Sequence, residues 1–145
     1  MPVEVAFHFN APDRVAYAAR LLRKAHHKGA RLWVRVAGDE LTALDQALWV
    51  QSPGEFLPHS VAGDPPAVRL RSPIHLDPGE PQPGQHEVLV NLAPGVPPGH
   101  ERFERVIEVV TLDDADRAAA RERWRAYKAQ GIEPLRHDLK TSAGA

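Results

Sequence analysis

The first 37 residues change periodicity twice, and that order restricts the possible folds more than any other stretch of the chain. Val3 to Phe9 alternates apolar and polar side chains as a strand does, and Asn10 to Pro12 breaks the pattern. Asp13 to Lys28 repeats apolar residues at Val15, Ala18, Ala19, Leu22 and Ala25, the spacing of one helical face. Gly29 suits the left-handed position that ends a helix, and RLWVRVA, Arg31 to Ala37, is rich in strand-favouring residues. Strand, helix and strand in that order read as a βαβ unit. Gly38 and Asp39 open a further amphipathic helix, Glu40 to Leu48, with Leu41, Leu44 and Leu48 on one side.

The middle of the chain has a different character. Residues 52 to 85 hold eight prolines, and only Ala67 to Arg71 and Pro73 to Leu76 are apolar enough for short extended pieces. The expectation there is irregular structure lying on the surface. EVLVNL, Glu87 to Leu92, and the segment Arg105 to Val110 are compact apolar runs of the kind that form buried parallel strands. Thr111 is the expected side-chain cap, and Asp113 and Asp114 place two carboxylates at the positive end of a last helix, which Gly131 ends. The fold class expected is α/β, a three-layer sandwich around a mainly parallel sheet. At 145 residues the chain is expected to form one domain, residues 1–145, with Ser142 to Ala145 frayed.

Charge and composition exclude several function classes. Eighteen Lys plus Arg stand against 19 Asp plus Glu, so anion recognition has to come from local clustering and not from an overall field. With no cysteine there is no disulfide, thiolate zinc site or thiol nucleophile, which is compatible with a cytoplasmic location. The N-terminal stretch has neither a basic start nor a long apolar run, so neither a signal peptide nor a membrane span is expected. The turn after the first strand, NAPDR, lacks the glycines of a phosphate-binding loop, and neither GxGxxG nor GxxxxGK[ST] occurs. The eight histidines show no ligand spacing, and Ser52, Ser60 and Ser72 lie in no nucleophile motif. No cofactor, metal or catalytic centre is expected.

Two segments carry unusual chemistry. Arg117, Arg121, Arg125 and Lys128 recur at three- and four-residue intervals on the last helix, with Trp124 among them. Like charges so placed repel by a few tenths of a kcal/mol per pair, roughly. The stripe is compatible with a solvated face whose stems cover Trp124 and Tyr127, and equally with a site for an acidic, partly apolar ligand. The second segment runs from Leu44 to Gly63, where large apolar groups leave a helix and enter a loop at Trp49, Phe56, Leu57, Pro58 and His59. Trp and Phe in such a loop either close one end of the core or form a protein-binding patch.

Together, LDQALWVQSPGEFLPHSVAG (Leu44 to Gly63) and ARERWRAYKAQG (Ala120 to Gly131) resemble the chi subunit of bacterial DNA polymerase III. The likeness extends over nearly the whole chain and is weakest in the proline-rich middle and the last ten residues. It implies a non-catalytic clamp-loader accessory protein with a nucleotide-binding-like sheet that lacks the phosphate loop. In that family chi links the loader, through the small psi subunit, to the acidic C-terminal tail of single-stranded DNA-binding protein, and meets DNA only indirectly. Carried over by position, the tail-binding residues are Arg117, Arg121 and Arg125, with Trp124 where a Tyr is usual, Val110 on the neighbouring strand end, and Lys128 completing the stripe. Arg121 is the expected partner of the terminal carboxylate. The psi-facing patch falls on Trp49, Phe56, Pro58 and His59. The alternative is direct binding of single-stranded nucleic acid, with the same arginines on phosphates and Trp124 stacked on a base.

Overall fold

The computed structural model describes residues 3–50, 57–82 and 86–140. Seven strands form one all-parallel sheet: β1 (Glu4–Ala11), β2 (Leu32–Arg35), β3 (Ser60–Val61), β4 (Ile74–Asp77), β5 (Val88–Asn91), β6 (Arg105–Thr111) and β7 (Leu135–Asp138). Their spatial order is β3-β4-β2-β5-β6-β1-β7. Helices α1 (Arg14–His27), α2 (Gly38–Val50), α3 (Pro66–Arg71) and α4 (Asp114–Ala129) connect or flank them.

Strand alternation assigns side chains to two layers. Leu32 and Val34 of β2, Ile74 and Leu76 of β4, Val88 and Val90 of β5, and Ile107 and Val109 of β6 pack with Ala18, Ala19 and Leu22 of α1 and Leu44 and Leu48 of α2. The intervening residues, among them Val5, Phe7, Trp33, Leu89, Val106 and Val110, pack on the other face with Ala120 and Tyr127 of α4. That is the three-layer arrangement the sequence pattern predicts. Each fully buried Leu or Ile contributes about 1.5–3 kcal/mol to holding the layers together.

Local signals set the element ends. Asp13 caps α1 through a bond from the Ala16 amide at 2.9 Å, and Gly29 follows with φ +86°, a value that Gly adopts at little cost. The predicted break at Asn10 is a bulge: register with β6 shifts between His8 and Ala11, and Asn10 takes φ +69° while bonding Asp138 at 2.8 Å.

The proline-rich middle differs from expectation. The extended piece expected at 73–76 is β4, but the segment also contributes β3 and α3, and Leu57, Ser60, Ile74, His75 and Leu76 are buried where a surface position was expected. Residues 67–71, expected to be extended, are helical, because Pro65 and Pro66 fall at the start of α3, where a missing amide costs nothing. Strand β7 was not anticipated; its LRHD sequence is short and exposed and is ordered by pairing with β1. The predicted fraying at 142–145 concerns residues outside those described. Among the described residues no helix is long and apolar enough to cross a membrane.

Three histidines, His8, His75 and His86, have pKa values lowered mainly by burial, His8 to about 4. The folded state therefore favours neutral rings, and its stability is complete above the ordinary value near 6.5 and lost as pH falls toward the folded value. Between pH 7 and 5 the His8 shift corresponds to about 2 kcal/mol, which solvent screening of the half-buried ring reduces to about 1 kcal/mol, and the melting temperature is expected to fall by about 2–4 °C. A His8→Gln variant should show a shallower fall over that range in a thermal melt; an unchanged slope would assign the acid sensitivity to other groups.

Candidate functional site

Glu108 on β6 lies fully inside the protein on the α4 side of the sheet. It accepts from Arg123 Nε at 2.9 Å, from the Tyr127 hydroxyl at 2.7 Å, and from Asn91 Nδ2 at 2.9 and 3.1 Å. Burial pushes the Glu108 carboxyl upward, and the Arg123 guanidinium, with the bonds from Tyr127 and Asn91, pulls it back. On balance burial prevails and the pKa is raised, while donors on every side match the carboxylate's acceptor positions. The same burial and the adjacent carboxylate keep Tyr127 protonated. Arg35 extends the network to Asn91 and to the carbonyls of Pro94 and Gly95, each at 3.1 Å. These contacts fix the rotation of α4 over the sheet.

The start of α4 is equally constrained. The cap is Asp113, not Thr111 as expected: Asp113 accepts from the Asp116 amide at 3.0 Å, while the Asp116 carboxylate accepts from Thr111 N and Oγ1 at 2.7 and 2.9 Å and pairs with Arg14 at 3.3 Å. Gly131, φ +84°, turns the chain away at the far end into β7.

Held in this way, α4 and the β1–β7 edge enclose a groove of about 360 Å³. Phe7, Phe9, Val110, Ala120 and Trp124 supply its apolar surface, and the Trp124 ring lies 5.0 Å from that of Phe7. Arg117 and Arg121 stand on its α4 side, and Arg136 of β7 faces them with its guanidinium 5.3 Å from the Phe9 ring. None of these three guanidiniums has a carboxylate partner among the described residues. Three unneutralised cations around aromatic walls suit a ligand that is anionic at one point and apolar at another.

The structure divides the basic stripe. Arg117, Arg121, Trp124 and Val110 line one groove, whereas Arg125 and Lys128 lie outside its lining. Arg125 pairs with Glu122, and Lys128 Nζ approaches Glu133 at 4.0 Å. A four-residue step overshoots a helical turn by about 40°, so two steps carry Arg125 round from Arg117, while Lys128 sits beyond the groove's end. Sequence reasoning missed Arg136, Phe7, Phe9 and Asn10. The alternation of Phe7 and Phe9 on β1 was a usable signal for the two rings; nothing in LRHD marked Arg136.

On the opposite face of the sheet, Trp49 at the end of α2 is 56% exposed, large for a Trp. His59 lies beneath it with ring centroids 5.5 Å apart, held by Asp45 at 2.6 Å and the Leu57 carbonyl at 2.8 Å. His59 thus props Trp49 and is not itself an outer contact, and Pro58 is half-buried beside it. Phe56 lies outside the described residues.

A Ser/His/Asp chain does form: Ser60 Oγ lies 2.7 Å from His75 Nδ1, and His75 Nε2 lies 2.9 Å from Asp77. Ser60 and His75 are 1% and 0% exposed, so no substrate reaches them, and the chain ties β3 to β4. Among the described residues no three His, Cys, Asp or Glu side chains gather as a metal ion requires.

Comparison with known proteins gives matches over most of the chain. A family model described as "DNA polymerase III chi subunit, HolC" matches residues 2–134. The chain is 37% identical over 131 residues to the DNA polymerase III subunit chi of Pseudomonas aeruginosa, covering 87% of each protein. It is 33% identical over 89 residues to the protein of that name from Haemophilus influenzae, covering 61% of this chain and 60% of that one. With the Escherichia coli subunit chi the identity is 30% over 90 residues, covering 61% and 60% respectively.

Because Glu108 and Arg123 are both enclosed, removing one leaves the other charged and unpaired. Arg123→Met is expected to cost about 3–5 kcal/mol in denaturant unfolding, and the Glu108→Leu/Arg123→Met double variant to recover most of it. A double variant as unstable as the single one would show that the pair contributes more than mutual neutralisation.

Proposed function

The chain belongs to the DNA polymerase III chi subunit family, and from that premise we propose that it is a non-catalytic accessory subunit of the polymerase III clamp-loader complex in the cytoplasm. In this reading it binds the acidic C-terminal tail of single-stranded DNA-binding protein in the α4 groove and the psi subunit through the Trp49 patch. It thereby links the replicase to coated single-stranded DNA.

The observation that carries the tail assignment is the trio of guanidiniums, without carboxylate partners among the described residues, around an apolar cleft. A tail ending in acidic residues and Pro-Phe offers a terminal carboxylate for Arg121, further anions for Arg117 and Arg136, and a ring for the walls of Phe7, Phe9 and Trp124. Arg125 and Lys128, already near carboxylates, contribute at most to the approach of an acidic partner. The psi assignment rests on the exposure of Trp49 and its rigid support by His59 and Asp45. Trp49 projects from α2 in one outer layer and the tail groove belongs to α4 in the other, so the two partners do not compete for surface.

Calorimetric titration with an acidic peptide ending in Pro-Phe is expected to give micromolar binding, about 8 kcal/mol, weakening as salt rises. Arg121→Ala and deletion of the final Phe should each weaken it by about tenfold or more. Binding that stays flat from low to high salt would defeat the charge-pairing mechanism.

Trp49→Ala should reduce capture of psi by about tenfold or more while leaving peptide affinity unchanged. A folded Trp49→Ala protein that lost both partners would overturn the two-surface arrangement.

A further inference from the structure

The β1–β7 edge floors a second and larger groove, of about 900 Å³, on the face away from α4. Alternation along the two strands builds both. Phe7, Phe9 and Arg136 serve the α4 groove, so Ala6, His8 and His137 serve the other. One wall is the face of α1 that carries Arg20 and Lys24, continued by Lys28 at the helix C-cap, the three at four-residue intervals over about 12 Å. Arg105 and Lys140 also line the groove. The one carboxylate in the lining, Glu4, sits 3.6 Å from Arg105, and Lys24, Lys28 and Lys140 have no carboxylate partner among the described residues. Five cations to one carboxylate is a strong local excess in a chain of net charge −1.

Three rings, of His8, Tyr17 and His137, also line this groove. His8 and His137 are cross-strand partners with centroids 4.7 Å apart and planes inclined at 36°. The Tyr17 hydroxyl lies 2.5 Å from His8 Nδ1; with the phenol as donor, His8 carries its proton on Nε2. Burial, reinforced by His137 and Arg105, holds the His8 ring neutral. Leu21, Ile107 and Leu139 supply apolar surface beside the rings.

We propose that this groove binds single-stranded nucleic acid, with phosphates along the α1 cations and bases against the His8–His137 rings. A row of cations beside sequence-tolerant stacking surfaces is the arrangement such ligands require. An acidic peptide would satisfy the cations but leave the paired rings without a stacking partner. The site is separate from the tail groove and does not depend on the α4 arginines.

Fluorescence anisotropy of the full chain with a labelled oligothymidylate tests this. Affinity should fall with salt at a logarithmic slope of about −2 if three phosphates are neutralised. Lys24→Glu/Lys28→Glu, both exposed positions, should weaken binding by about tenfold or more, and His137→Ala by about fivefold through lost stacking. Arg121→Ala should leave it unchanged. No binding by the folded natural chain, an unaffected Lys24→Glu/Lys28→Glu protein, or loss in Arg121→Ala instead would each overturn the proposal. So would equally effective displacement by a polyglutamate of matched charge, which would assign the groove to acidic peptides.

Discussion

The buried pair of Glu108 and Arg123, closed by Tyr127 and Asn91, is the interaction on which the α4 layer depends. A carboxylate with no exposure is tolerated because every acceptor position is used by a donor from α4 or from the neighbouring strand. The bonds are directional, so they select one rotation of α4 where apolar packing alone would accept several. That rotation determines which of the helix's basic residues face the sheet edge. Arg117 and Arg121 then overlook Phe7 and Phe9, and Trp124 closes the cleft between them.

The β1–β7 edge supplies the second constraint. Two paired parallel strands send successive side chains to opposite faces, so one edge furnishes the walls of two grooves of different character. On the α4 face it offers phenylalanines and an arginine, and on the α1 face histidines and the flank of a lysine-bearing helix. The bulge at Asn10, with its left-handed backbone and its bond to Asp138, ends this shared edge where both grooves meet Asn10.

Much of the fold was legible because its signals are local. The switch from period two to period 3.6 marked β1, α1 and β2; the apolar runs marked β5 and β6; and Gly29 and Gly131 marked helix ends through their backbone angles, whereas the capping bonds of Asp13 and Asp113 came only with the structure. In the proline-rich middle the extended piece at 73–76 was legible but its burial was not, because composition there suggests irregular surface structure, whereas Ile74 and Leu76 are buried in β4 between β2 and β3. Strand β7 was invisible for a related reason. LRHD has no buried face of its own, and only the register with β1 makes it a strand.

The candidate site divides along the same line. From the order of residues came the basic stripe with Trp124 in it, the aromatic segment around Trp49, and the absence of any phosphate loop, since helical spacing and motif content are properties of contiguous sequence. Tertiary structure decided which arginines have no carboxylate among the described residues, that Arg136 arrives from a distant strand, that His59 supports Trp49, and that Ser60, His75 and Asp77 join where no substrate can reach. The reason is physical. A helix advances by 3.6 residues per turn and a strand by two per repeat, so local sequence gives relative directions within an element, and only contacts between elements convert them into positions in space.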